Sequence, residues 1–128
     1  MTAWRGTLAV ATGSAIGAVL RHGAGDLAAA TGGGAWPVDT LLVNALGAFL
    51  MGWLAVVSMH DGRHPLGDQT RLFLTGGVCG GFTTFSVFSL ESLDLLIAGA
   101  WGAAALNIGA TLVLAIGAAA AGALLGRR

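Results

Sequence analysis

Between Gly76 and Glu91 the chain reads GGVCGGFTTFSVFSLE. Four glycines, two adjacent threonines and two serines interleaved with phenylalanines sit within an apolar run long enough to cross a bilayer. A lipid-facing helix has no use for that mixture, because backbone that unwinds at membrane depth survives only where it is buried in protein or lines a polar path. Gly80 and Gly81 lower helix propensity, and Thr83 and Thr84 add β-branched residues directly after them. A helix interrupted over Gly80–Thr83 exposes carbonyl oxygens that have lost their i+4 donors. Such oxygens suit a small hard cation such as Na+. The other reading is an intact helix whose glycines serve packing, and residue types alone leave the two level.

Downstream, Phe85 and Phe88 are spaced to share one face of the resumed helix, with Ser86 and Ser89 on the neighbouring face. Ring edges carry partial positive charge and hydroxyls donate hydrogen bonds, a combination that suits a small anion stripped of water. Without lysine in the set, the ion is not held too firmly to leave. The ordinary alternatives are core or lipid contact for the rings, and bonding to their own helix carbonyls for the serines.

Asn44 is the sole amide of a second apolar stretch, with Thr40 one turn earlier; Asn107 and Thr111 repeat that spacing near the C-terminus. Each pair is either an ion contact or an interhelical bond. Arg21 and Glu91 fall near span ends, as vestibule charges or as interfacial anchors.

These residues need elements to hold them. The chain has 128 residues, 55% of them hydrophobic and 9% charged, where a soluble domain carries about 25% charged. Mean hydropathy is +0.81, so a membrane protein is expected. The pattern predicts an all-α membrane protein: one domain over 1–128, with four transmembrane helices at about 4–26, 37–60, 69–96 and 99–126. The third is expected to break near its middle. The first qualifies if Arg21 snorkels or faces protein. ATGGGAWP (Ala30–Pro37) and HDGRHPLGD (His60–Asp68) read as connections, and Trp4, Trp36, Trp53 and Trp101 fall near span ends as an aromatic belt places them. A cleaved signal peptide is the alternative for the N-terminus.

Gly13/Gly17, Gly76/Gly80, Gly77/Gly81 and Gly122/Gly126 each form a GxxxG pair, which lets helix backbones approach closely. Four helices packed so tightly leave little room for a pore within one subunit, and oligomerisation follows. With four spans, Arg5, Arg63, Arg71, Arg127 and Arg128 share one side, which the positive-inside rule makes cytoplasmic along with both termini.

Other classes recede. Six arginines balance six acids, which does not suit nucleic acid as a partner. The GGVCGG stretch is followed by no lysine and is not a phosphate loop. His22, His60 and His64 are dispersed, and Cys79 is the lone cysteine, read as a packing residue. No nucleophile–base–acid set stands out, so an enzyme is not expected.

GAVLRH (Gly17–His22), DTLLVNALGAFLMG (Asp39–Gly52) and GGFTTFSVFSLE (Gly80–Glu91) together resemble the signatures of the Fluc (CrcB) family of small bacterial fluoride channels. The resemblance covers essentially the whole chain. It implies an antiparallel, dual-topology dimer in the bacterial inner (plasma) membrane with two fluoride pathways. It implies a structural, untransported Na+ at the dimer centre, held by the main-chain carbonyls of Gly80 and Thr83 from both subunits. Along the fluoride pathway it places Asn44, Phe85, Phe88, Thr40, Ser86, Ser89, Thr111 and Arg21. The sequence departs from the family pattern at Val87 and Ala115, where hydroxyls are usual, and at His22 and Asp39. The arginine asymmetry also departs from a dual-topology balance, so a heterodimer with an oppositely inserted paralogous subunit stands beside the homodimer.

The function expected is therefore a passive fluoride-selective channel that lets cytoplasmic fluoride leave the cell and lowers its toxicity. A proton-coupled exporter and a structural membrane subunit without transport of its own are the alternatives.

Overall fold

The computed structural model of the chain describes residues 3–32, 34, 36–59 and 65–128. His60, Arg63 and His64, used above in the charge and histidine arguments, lie outside the described residues. All regular structure among those described is helical.

Helix α1 (Ala3–Ala30) is an alanine-, glycine- and leucine-rich stretch with no proline to stop it, and it continues past residue 26. It ends at Gly32, whose φ of +82° turns the chain out of the helix. Pro37 precedes α2 (Val38–Val57), and Asp39 in the first turn complements the dipole there. At about 1.5 Å per residue, the 20 residues of α2 reach about 30 Å, the thickness of a hydrocarbon core.

The third span is composite. It runs through α3 (Asp68–Leu72), a π-helical stretch (Phe73–Cys79) and α4 (Gly80–Phe82), then resumes as α5 (Phe85–Ile97). Helix α5 closes with a Schellman turn: Ala100 N donates to Leu95 O, Gly99 N donates to Leu96 O, and Gly99 takes a φ of +73°. Helix α6 (Trp101–Gly126) follows at once. By length and composition Val38–Val57, Asp68–Ile97 taken across its break, and Trp101–Gly126 are apolar enough to cross a membrane. Helix α1 is long enough, but it carries Arg5, Arg21, His22 and Asp26.

The break sits two residues later than the sequence suggested. Gly80 has φ −63° and ψ −40°, ordinary helical values, whereas Thr83 (−83°, 158°) and Thr84 (−147°, 120°) are extended. Low helix propensity at Gly80–Gly81 is outweighed by packing. Gly81 and Gly77 interlock with Gly13 and Gly17 of α1, so closely that a methyl on Gly17 would lie 2.7 Å from Phe82 N and one on Gly13 would lie 2.8 Å from Gly77 Cα.

Gly122 makes the equivalent contact between α6 and α2, where a methyl would lie 2.9 Å from Trp53 N. The pair Gly76/Gly80 does not pack in this way: both are exposed, and a methyl on Gly76 would meet only Val10 Cγ2 at 3.5 Å. Two tight layers result, α1 with the first half of the third span and α2 with α6. The half-helix α5 lies mainly along α6.

Candidate functional site

The break is held open by a side chain from another helix. Asn44 Nδ2 donates to Thr84 O at 2.9 Å, and Thr84 N donates to Asn44 Oδ1 at 2.8 Å. Both polar backbone groups of an extended residue are thus satisfied by one amide, which fixes the orientation of that amide without ambiguity. Its second N–H is left over as a donor. Thr84 then caps the resumed helix, its hydroxyl accepting from Val87 N at 3.2 Å.

These two diversions bear directly on the carbonyls singled out in the sequence. In a continuous helix Thr84 N would bond to Gly80 O and Val87 N to Thr83 O. Both amides are engaged by side chains instead.

Phe85 and Phe88 stack at a tilt, with ring centroids 5.6 Å apart and planes at 52°. They differ sharply in exposure: Phe88 is 7% exposed and Phe85 78%. Ser89 donates to Phe85 O at 2.8 Å, so its hydroxyl can serve an anion only by leaving that carbonyl. Ser86 is exposed and lies 3.3 Å from the Thr84 hydroxyl.

One turn before Asn44, Thr40 is 2% exposed and joins three helices. Its hydroxyl accepts from Arg21 Nη2 at 2.9 Å and donates to Glu91 Oε1 at 2.8 Å. Arg21 also lies 3.6 Å from Asp39. Arg21 Nε and Glu91 Oε2 are buried without a hydrogen-bond partner among the described residues, a donor and an acceptor in one relay. The structure therefore brings Arg21, Thr40 and Glu91 together and sets Asn44 beside the break. Thr111 lies apart on α6, 8% exposed, one turn beyond the buried Asn107.

An open cleft of about 1140 Å³ runs between the C-terminal half of α1, α2 and α5. Glu91, Asp39 and Phe82 reach it, along with Trp36 and apolar walls such as Leu42 and Leu95. Asn44, Phe85 and Phe88 do not line it. Among the described residues no cluster of three or more His, Cys, Asp or Glu is placed to hold a metal ion.

Sequence reading missed Thr84 and Ser92. Thr84 carried a usable signal, a threonine immediately before a helical run. Ser92, which accepts from Asn107 Nδ2 at 3.0 Å, carried none, because its partner lies on a different helix.

The family model described as "CrcB-like protein, Camphor Resistance (CrcB)" matches residues 8–123. Curated relatives carry the name "Fluoride-specific ion channel FluC". The protein of Agrobacterium fabrum is 47% identical over 118 residues, covering 92% of this chain and 93% of its own. That of Opitutus terrae is 43% identical over 109 residues, 85% of this chain and 83% of its own. That of Gluconobacter oxydans is 48% identical over 87 residues, 67% of this chain and 60% of its own. With a family match across nearly all of its length and relatives this similar, the chain belongs to the CrcB family.

Proposed function

We propose that this chain is a subunit of a passive, fluoride-selective channel, and not an enzyme. The observation that carries the reading is the Asn44–Thr84 junction, in a chain whose curated relatives are named as fluoride channels. There a helix break followed by a phenylalanine pair meets an amide with a spare N–H from α2. Fluoride enters a cell as neutral HF and ionises in the less acidic cytoplasm. An anion path then lets it leave down its gradient with no coupled ion.

Along that path the spare Asn44 N–H, the edges of Phe85 and Phe88 and the Ser86 hydroxyl replace water around the ion, with the Thr111 hydroxyl further along α6; the Ser89 and Thr40 hydroxyls join by leaving Phe85 O and Glu91 Oε1. Arg21 supplies the positive charge at its mouth. None of these groups is so strong a partner that the ion is trapped.

A single chain does not enclose such a path. Phe85 stands exposed, so the second wall comes from another subunit. The arrangement proposed is an antiparallel dimer in the bacterial inner membrane, each subunit crossing four times, α1 included, with Arg21 turned toward Thr40 and Asp39 of its own subunit. A homodimer is the first form and a pair with an oppositely inserted paralogue the second, which the arginine asymmetry favours. If one orientation is fixed, the termini are cytoplasmic.

Structural Na+ fits the residues present. The Gly80 and Thr83 carbonyls are hard oxygen donors whose usual amide partners are diverted, and the same pair from a second copy would complete the set. Bound there, Na+ supplies a fixed positive charge at the dimer centre, and this chain's contribution is to keep those carbonyls clear of their own helix.

The test is fluoride efflux from liposomes holding the purified chain alone, followed with a fluoride electrode and with chloride as the control. Phe88→Ile and Asn44→Leu are expected to abolish fluoride flux, whereas a structural subunit would tolerate both. Flux that appears only after a paralogous subunit is added identifies the paired form. A proton-coupled exporter would use the half-buried Glu91, and efflux that follows the proton gradient and is lost in Glu91→Gln would replace the channel reading.

A further inference from the structure

Arg21 brings a positive charge to the three-helix relay, and the relay sets carboxyl groups beside it. Arg21 Nη2 donates to Thr40 Oγ1 at 2.9 Å, and Thr40 in turn donates to Glu91 Oε1 at 2.8 Å. On the other side Arg21 Nη1 lies 3.6 Å from Asp39 Oδ2. The two contacts of the guanidinium differ in kind. The bond to Thr40 fixes its place, whereas 3.6 Å is too long for a hydrogen bond, so Asp39 acts on Arg21 by charge.

The surroundings do not cancel that effect. Asp39, Glu91 and Asp94 line the same cleft, and among the described residues no arginine lines it. The side chains of Arg21 and Asp39 are 17% and 28% exposed, so the pair meets water while lying partly out of it. Gly25 of α1 faces the pair without a side chain to cover it: a methyl there would lie 3.4 Å from Arg21 Nη1. An anion nearing Arg21 therefore meets the field of a carboxylate as well.

We propose that Asp39 is a brake on fluoride entry: its carboxylate offsets the Arg21 charge and keeps anion occupancy at the mouth low. Asp39 does not touch the ion. A bare arginine would hold an anion more firmly, and conduction needs a site that the ion can leave. This rests on the reading of Arg21 as the positive charge at the mouth of the fluoride path.

The experiment reconstitutes Asp39→Asn, Asp39→Gly and Asp39→Glu and measures initial fluoride efflux across a range of fluoride concentrations. A unit charge about 6 Å from an ion, acting through water, changes its occupancy about threefold, and more in a lower dielectric. Both neutral variants are therefore expected to reach half-maximal flux at a fluoride concentration at least about threefold below that of the parent. Asp39→Glu keeps the charge and stays with the parent. In about 1 M inert salt, where fields fade within about 3 Å, variants and parent converge.

A role confined to the dipole of α2 would lower the melting temperature of the neutral variants without moving half-saturation. Neutral variants with parental half-saturation at low salt would overturn the proposal. So would a shift that persists in full at high salt or appears equally in Asp39→Glu. A second readout does not depend on flux, because Trp36 lines the cleft with Asp39. In a Trp4→Phe, Trp53→Phe, Trp101→Phe background, quenching of Trp36 by iodide, relative to neutral acrylamide, reports the local potential. Removing the Asp39 charge should raise it, and unchanged quenching would overturn the brake. Should the parent chain carry no fluoride, the channel reading fails on its own, and iodide quenching still decides whether Asp39 keeps anions from Arg21.

Discussion

Replacing Asn44 separates its two roles, holding the break and offering a donor. In Asn44→Leu the Thr84 N–H and C=O each lose a bond of 2.8 to 2.9 Å in a half-buried position. A buried donor left unpaired costs about 1–3 kcal/mol, so folded-state stability should drop by about 2 kcal/mol. Asn44→Asp behaves differently. Its carboxylate still accepts from Thr84 N, but its second oxygen has no proton for Thr84 O and faces that carbonyl as acceptor against acceptor, so one of the two bonds is kept and the other becomes a repulsion.

The spare donor, however, has become a negative charge. At about 4 Å and an effective dielectric near 20, a fluoride ion beside it would be repelled by about 4 kcal/mol, close to a thousandfold in occupancy. The assay pairs thermal unfolding in detergent with fluoride-electrode efflux from proteoliposomes. Asn44→Leu should be both less stable and inactive, and Asn44→Asp inactive as well. An Asn44→Asp variant that conducts like the parent would refute the donor role. An Asn44→Leu variant that melts with the parent would refute the hold of Asn44 on the break.

The remaining expectations concern packing, the relay and the cation. Gly17→Ala places a methyl 2.7 Å from Phe82 N, against backbone that cannot move aside, and should sharply reduce the yield of folded protein by size-exclusion chromatography; Gly76→Ala, with only a side chain at 3.5 Å, should leave it unchanged. Thr40→Val removes the hydroxyl between Arg21 and Glu91 and should lower stability by about 1–3 kcal/mol in chemical denaturation, with fluoride efflux falling as well. Replacing Na+ by a large organic cation throughout purification should lower the melting temperature or halt efflux, and a protein indifferent to the exchange would speak against the Gly80 and Thr83 carbonyls as its ligands.

Much of the site was legible because it lies in one segment whose composition contradicts its surroundings. The mixture of glycine, threonine and phenylalanine at membrane depth marked Gly76–Glu91, and a lone amide in an apolar span marked Asn44. What could not be read was which groups meet. The break lies later than residue types suggest because glycine, a weak point in an isolated helix, is at Gly77 and Gly81 the means of contact with α1. Gly76 and Gly80 have the same spacing and no such contact, since spacing does not say which face meets a neighbour. Arg21 and Glu91 were visible as separate charges near span ends. Their connection through Thr40 depends on the approach of three helices, and no local pattern records that.

The Asn44–Thr84 pairing joins residues 40 positions apart, and this has a consequence for the order of assembly. Before α2 and the third span have met, Thr84 N–H has no amide to bond, and in lipid its available acceptor is its own Gly80 carbonyl. The newly inserted third span is therefore expected to be an unbroken helix, with the Gly80 and Thr83 carbonyls both masked. Docking against α2 exchanges a local bond for a tertiary one and unmasks them. The proposed cation site would thus be absent from the isolated segment and arise late, at the moment the subunit completes its own packing.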